Sequence, residues 1–290
     1  MRILSIQSSV AYGHVGNSAA VFPLQRLGHE VIAVNTVHFS NHTGYGAWRG
    51  TVMDPAVIGE VIEGVADRDA LATVDAVLTG YQGSPGVAAI VLDTVARIRT
   101  LNPAAVYCAD PVMGDVGRGM FVLPGVPELI RERVVPVADV LTPNAFELSY
   151  LAFGGDPGKV DPSRIDGPEE LLAAIDTVRA MGPRTVLVTS VKGSVVDDDQ
   201  IGMVAVDDSG AYLVRTPELP LSVNGAGDVT AALFLAHLAD GVGPALARVA
   251  SSVYGILAAT HTAGSREIAL VPAQDLVAAP PTEFPVERLR

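Results

Sequence analysis

Two stretches of the sequence set acids where a charge could be worked on. In "LSVNGAGDVTAALFLAHLADG", Leu221 to Gly241, the triplet Gly225-Ala226-Gly227 runs into Asp228 at the mouth of an apolar helix that Gly241 stops. Glycines at a helix start let the backbone turn sharply and leave N–H groups uncovered, which is how helix N-termini hold anions. A carboxylate beside an anion site repels the anion unless the acid has a task of its own. An acid that merely complements the helix dipole is the plain alternative. The second stretch is really a pair. "CADPVMGDVGRG" carries Asp110 at the end of an apolar run, Pro111 enforcing extended backbone, and Asp115 five residues on. "TPNAFE" carries Thr142, then Asn144 as a helix N-cap with Glu147 at its third position. Capping alone accounts for Asn144 and Glu147, but Glu147 can also reach towards Asp110. Acids gathered around one opening suit a magnesium ion, which prefers carboxylates, water and phosphate oxygens. Asp110 and Glu147 are therefore the expected metal-side acids. Together the stretches read as a phosphoryl-transfer site: the N–H groups of Gly225, Ala226 and Gly227 steady the transferring charge, and Asp228 takes a proton from an attacking hydroxyl.

Elements able to bring these stretches together are visible in the hydrophobic pattern. Apolar runs at 2–7, 30–37, 75–81, 104–111, 138–144 and 185–190 read as buried strands. Helical patterns lie between and after them, at 17–27, 55–65, 85–101, 125–133, 145–153, 168–181 and 227–240. Such alternation predicts an α/β protein with an open, mostly parallel central sheet flanked by helices on both faces. Residues 201–216, turning at Asp207-Asp208-Ser209-Gly210, read as a short edge hairpin. Ligands of open parallel sheets sit at the carboxyl ends of the strands. The polar clusters "QSS", "GYQGS", "DPVMGD", "TPNAFE" and "TS" all follow strands, so they converge on one edge. Residues 115–125 with Gly114, Gly117, Gly119 and Gly125 suit a mobile flap over a nucleotide. No internal repeat or interdomain linker appears, so residues 1–278 read as one domain, with 279–290, broken by prolines, as a loosely packed tail.

Composition excludes several classes. The 290 residues carry a net charge of −13, so a nucleic-acid partner held by a basic face does not fit. An anionic substrate such as ATP needs a metal ion or a local donor nest to enter that field. The single cysteine, Cys108, rules out an internal disulfide framework and fits a reducing compartment, the cytoplasm. The N-terminal apolar run is too short for a signal peptide, and no run reads as a membrane span. Only Lys159 and Lys192 stand against seventeen arginines, both in polar loop contexts, which leaves lysine Schiff-base chemistry few candidates. Neither a Walker A nor a GxGxxG fingerprint opens the first helix.

"NGAGD" taken with "DPVMGD" and "TPNAFE" resembles the ribokinase-like family, whose GxGD motif supplies anion hole and base. "SIQSSVAYGHVGNSAAVFPLQRLG" (5–28), "NTVHFSNHTGYGAWRG" (35–50) and "LTGYQGS" (78–84) sharpen this to a resemblance to pyridoxal kinases, running to about residue 265. The resemblance implies ATP-dependent phosphorylation of the 5′-hydroxyl of pyridoxal, with Mg²⁺ and, if needed, a monovalent cation. It implies that Ser9 contacts the pyridine ring, that His42 and Thr43 line the ring and its 3-hydroxyl, and that Tyr81 borders the pocket. Asp110, Asp115, Thr142, Glu147, Thr189 and Ser190 would lie around ATP and its metal, and Asp228 would activate the hydroxyl. Tyr45 and Trp48 could cover the ring, core packing being the preferred role for Trp48. It further implies a homodimer, and no large lid, since residues 36–54 leave room only for a short flap. Two departures stand out. Ser222-Val223-Asn224 replaces the acid and threonine common before the motif, and Thr189 stands where some bacterial pyridoxal kinases carry lysine. Charge compensation would then fall to magnesium, with Arg118 as a candidate helper. Two alternatives stay open: a hydroxymethylpyrimidine kinase, and a catalytically silent vitamin B6-binding protein.

Overall fold

The computed structural model describes residues 1–290. In chain order it runs β1 (Arg2–Val10), α1 (Asn17–Arg26), β2 (Glu30–Phe39), β3 (Gly50–Val52), α2 (Pro55–Ala66), β4 (Ala76–Thr79) and α3 (Pro85–Leu101). There follow β5 (Val106–Ala109), β6 (Gly114–Asp115), β7 (Gly119–Met120), α4 (Val126–Leu129), β8 (Val140–Leu141), α5 (Ala145–Phe153) and α6 (Pro168–Arg179). The chain closes with β9 (Thr185–Val191), β10 (Gln200–Asp207), β11 (Gly210–Pro217), α7 (Ala226–His237), α8 (Val242–Thr262), α9 (Gln274–Ala278) and β12 (Val286–Arg288).

Ten strands form one sheet, in the order β12-β11-β10-β9-β8-β5-β4-β1-β2-β3. The six from β2 to β9 are parallel; β10, β11 and β12 extend one edge antiparallel, and β3 caps the other. Period-two alternation sends neighbouring side chains to opposite faces. Leu4 and Ile6 of β1 join a core with α2, α3, α5 and α6, while Ile3 joins a second core with α1, α7 and α8. The chain pairs β2 on one side of β1 and β4 on the other, so the order reverses there, and a crevice opens at such a switch point. Beneath it runs a buried polar chain: Gln7 Nε2 donates to Ser5 Oγ (2.9 Å), Ser5 Oγ to Asn17 Oδ1 (2.7 Å), and Asn17 Nδ2 to the Val34 carbonyl (3.0 Å). These bonds pin the first turn of α1 to the sheet.

Several expectations need correcting. The run 138–144 gives only a two-residue strand, because Pro143 and the cap of α5 end the ladder early. Helix 125–133 stops at Leu129, and residues 130–134 continue as a wider turn. Residues 242–262 form a 21-residue helix that the sequence reading did not mark: Ala, Val, Leu and Ile fill its core face, and alanines, serines and glycines interrupt the apolar stripe. It is long and apolar enough to cross a membrane, yet Val242, Leu246, Val249 and Ile256 are packed into the second core. The C-terminal residues are not wholly loose either. Val286–Arg288 pairs with β11 as the outermost strand, which the prolines before it disguised. The hairpin turn at Asp208-Ser209 lies where the sequence placed it, though β12 and not β11 is the sheet's edge.

Candidate active site

Backbone conformation fixes the mouth of α7. Gly225 has φ 93°, in the left-handed region, and a side chain there would collide with the His14 carbonyl. From that turn Ala226 and Gly227 open the helix with their N–H groups uncovered, and Asp228 falls in the first turn. Gly16, with φ 53°, makes the matching turn into α1, where a Cβ would run into Ser8. The Gly16 N–H and Asp228's own N–H face the Asp228 carboxylate and favour its charged form. Burial outweighs them and pushes the Asp228 pKa up to about 6. Gly80, following β4, leaves room for the Gln7 side chain, since a Cβ there would collide with Gln7 Oε1.

Asp110 sits at the end of β5, its N–H donating to the Thr79 carbonyl at 2.8 Å. Its carboxyl is held well above the usual range, first by burial and then by the charges of Glu147 and Asp228. The Thr142 hydroxyl beside it opposes that shift and is itself buried without a hydrogen-bond partner of good geometry. Glu147 has both carboxylate oxygens engaged. Oε2 accepts from the Asn144 N–H (2.9 Å), closing the capping box with Asn144 Oδ1, which accepts from the Glu147 N–H (2.8 Å). Oε1 accepts from the N–H groups of Met113 (2.8 Å) and Gly114 (3.4 Å). Burial pushes the Glu147 pKa up to about 8 despite those donors. The capping reading is thus realised, and the same side chain stands near Asp110 and ties α5 to the root of the flap.

A cavity of about 730 Å³ opens over these acids at the carboxyl ends of the strands. Asp110, Thr142, Glu147 and Asp228 line it with the Gly225–Gly227 mouth. Asp115, Thr189 and Ser190 line it as well; Ser190 holds φ 58°, an uncommon backbone for a serine and one that clusters at functional sites. His42, Thr43 and Tyr81 border the same space. The flap is the two-stranded β6–β7 ribbon, from which Arg118 and Phe121 reach the cavity. Arg118 is the only lysine or arginine in the lining; its Nη1 donates to Asn224 Oδ1 at 3.3 Å and its guanidinium lies over Phe121. No three histidine, cysteine or acidic side chains are gathered to hold a metal by themselves.

Two placements differ from the sequence reading. Ser9 does not line the cavity: its hydroxyl is 3.3 Å from Ser18 Oγ on α1, and the lining residue is Ser8. Ser8 and Ser9 are neighbours on β1 and face opposite sides of the sheet, and the resemblance that pointed to Ser9 does not say which of the two faces the cavity. Trp48 is not a core residue but a cavity residue, 47% exposed and 6.0 Å from the Phe39 ring. Asn224 and Glu267 were missed altogether. Asn224 was seen only as a departure from a pattern, and no local motif marks Glu267, which meets His42 from 225 positions away.

A hydroxyl set against Asp228 can lose its proton there while the phosphoryl group it attacks rests on the uncovered N–H groups of α7. That arrangement, on this sheet order and with only a short flap, defines a small-molecule kinase of ribokinase-like fold. A family model described as phosphomethylpyrimidine kinase matches residues 24–266. A pyridoxal kinase PdxY of Leifsonia xyli is 54% identical over all of both chains, and one of Rubrobacter xylanophilus is 56% identical over all of this chain and 98% of its own. The solved pyridoxal kinase of Leishmania donovani, in complex with ADP and ginkgotoxin, superposes with a TM-score of 0.90 at 32% identity, covering 100% of this chain and 99% of that one. This chain belongs to the pyridoxal kinases.

Proposed function

We infer that the protein transfers the γ-phosphoryl group of ATP to the 5′-hydroxyl of pyridoxal, giving pyridoxal 5′-phosphate and ADP. The observation that carries this is Asp228: a half-buried carboxylate with its pKa pushed up to about 6, at the helix mouth whose N–H groups can receive phosphoryl charge. A base with that pKa is ionised at neutral pH yet basic enough to share a proton in the transition state. The hydroxyl proton passes to Asp228, the freed oxygen bonds to the γ-phosphorus, and the bond to the β-phosphate oxygen breaks as ADP leaves. Relatives support the substrates: the Leishmania donovani enzyme has been solved with ADP and pyridoxine and with ADP and pyridoxamine.

The donor set fits magnesium, which usually keeps several waters and takes one or two carboxylates plus substrate phosphates. Asp110 would hold the ion directly. Glu147, with both oxygens engaged by backbone N–H groups, would reach it through water. Bound magnesium supplies positive charge against the phosphates and against the mutual repulsion of Asp110, Glu147 and Asp228. Asp115, Thr142, Thr189, Ser190 and Arg118 would surround the nucleotide, and His42, Thr43, Tyr81 and Ser8 the vitamer. The lone, buried Cys108 suits the cytoplasm, and the family resemblance supports a homodimer.

The test is ATP consumption with Mg²⁺, with and without K⁺, against pyridoxal, pyridoxine, pyridoxamine, hydroxymethylpyrimidine and ribose. Turnover of pyridoxal above the others is the expected result. Preference for the pyrimidine would keep the mechanism and overturn the substrate. Pyridoxal binding without ATP turnover would mark a silent binding protein.

A further inference from the structure

The imidazole of His42 is gripped from a distant part of the chain. Its Nε2 lies 2.9 Å from Glu267 Oε1, and both side chains are nearly buried, 8% and 11% exposed. A carboxylate oxygen only accepts, so Nε2 carries the proton. Nδ1, on the other side of the ring, is buried and has no hydrogen-bond partner. A buried polar atom left without a partner is unfavourable, and it marks where a ligand would complete the bonding. The neighbouring space is kept open by Gly44. A Cβ at that position would lie 2.9 Å from Nδ1 and 2.6 Å from Asn224 Nδ2. Tyr45 stacks on the imidazole at 4.7 Å, and the Arg266 guanidinium covers the Tyr45 ring at 4.5 Å, so the histidine has little freedom to turn.

Glu267 also joins the segments around the histidine. Its Oε2 accepts from the His14 N–H at 3.2 Å, and its backbone bridges to Asn224, the residue before the Gly225 turn. The same carboxylate is the main reason that the Tyr45 hydroxyl is harder to ionise. One acid therefore links the loop at 14, the loop at 42–45 and the approach to the anion hole.

We propose that Glu267 is a positioning residue for the vitamer: it fixes His42 with the proton on Nε2 and presents Nδ1 as an acceptor to a hydrogen-bond donor on the substrate's ring. This rests on the reading of the cavity as a pyridoxal site. Glu267 makes no contact with the phosphoryl-transfer acids, so its removal acts on ring binding ahead of chemistry.

The experiment compares Glu267→Ala and Glu267→Gln with the unaltered protein by steady-state kinetics and by ¹⁵N NMR of the His42 ring, its signals assigned with His42→Gln. The unliganded protein should show a protonated Nε2 and a bare Nδ1, and Glu267→Ala should show a mixture of tautomers. Loss of a hydrogen bond to a charged group should raise the pyridoxal KM about tenfold or more, with the ATP KM within about twofold. Glu267→Gln should recover part of that loss, since its amide oxygen can still accept from Nε2–H. A ring spectrum unchanged in Glu267→Ala, or a proton found on Nδ1, overturns the proposal. So does an equal rise of both KM values together with a lower Tm, which is the mark of a merely structural contact. Were pyridoxal not turned over at all, the substrate reading would fail by itself, and the nitrogen spectrum of the unliganded protein would still decide whether Glu267 sets the ring.

Discussion

The part of the cavity that we assign to phosphate and the part that we assign to the vitamer ring are built in opposite ways. Asp110, Glu147 and Asp228 come from strand ends and helix mouths; Asp110 and Glu147 are buried and Asp228 is half-buried, and no lysine or arginine is paired with any of them. Desolvation raises all three pKa values and like charge adds to it at Asp110 and Glu147, so the protein without ligand holds an unfavourable arrangement that a cation would relieve. Around the ring, the loops at 12–16, 40–48 and 265–268 meet, and their one nearly buried acid is satisfied: Glu267 has a histidine and a backbone N–H. The contrast teaches that one part stores electrostatic strain for the chemistry, while the other is organised in advance by pairing. Mutations should therefore split into those that alter kcat or stability and those that alter the vitamer KM alone.

The largest effect is expected at the base. Asp228→Asn keeps the shape of the α7 mouth and removes the proton acceptor, so kcat should fall by about 10²- to 10⁴-fold with both KM values little changed. In the unaltered enzyme the same group sets the acid limb: activity should rise with pH through about 6 as Asp228 loses its proton, then level off. If Asp228→Asn keeps its rate, or if the acid limb persists in it unchanged, another group is the base and the division of the cavity fails at its centre.

Asp110→Asn should separate stability from function. It removes one of three repelling charges, so the Tm of the unliganded protein at pH 8 should rise by a few degrees, corresponding to about 1–2 kcal/mol. ATP turnover should fall at least tenfold, as one charge-assisted ligand of the metal is lost. A drop in Tm would mean that the carboxylate is paired after all. The pH profile of stability follows from the same strain. An acid whose folded pKa exceeds its unfolded value keeps its proton longer in the folded state, so stability is fullest below the unfolded value and falls as pH rises through the folded one. With Asp228 at about 6 and Glu147 at about 8, the unliganded Tm should decline from pH 5 to pH 8, and Mg-ATP should flatten the decline. A Tm that climbs over that range would overturn the account of the acids.

Legibility in the sequence followed the same division. The strand-end acids lie in short motifs whose local rules are strict: an N-cap with its third-position acid, a glycine turn into a helix, an acid ahead of proline. Asp110, Glu147 and Asp228 were found there with their neighbours, and so was the parallel core. The ring-facing part depends on packing between distant loops, which no local rule encodes. Ser9 was named where Ser8 lines the cavity, because a resemblance carried along two adjacent serines does not tell which face of the strand each one takes. Glu267 carries no pattern that points 225 residues back to His42. Helix α8 escaped because its small residues blur the periodic stripe, and β12 because prolines precede it.

Trp48 offers the smallest and most selective probe of the ring-facing part. The indole is about half exposed at the cavity and meets Phe39 at a tilt, so it contributes cover and not core. Trp48→Ala should raise the pyridoxal KM only about two- to fivefold, in line with one partly solvated aromatic contact. The ATP KM should stay put, and stability should change by no more than about 1 kcal/mol, as at most exposed positions. A loss of several degrees in Tm would restore the core-packing role read from the sequence. Unchanged kinetics would leave Tyr81 and the His42–Tyr45 stack as the whole of the ring's aromatic cover. A rise in the ATP KM of the same size would show that Trp48 serves the nucleotide as well, and the two parts of the cavity would then share a wall.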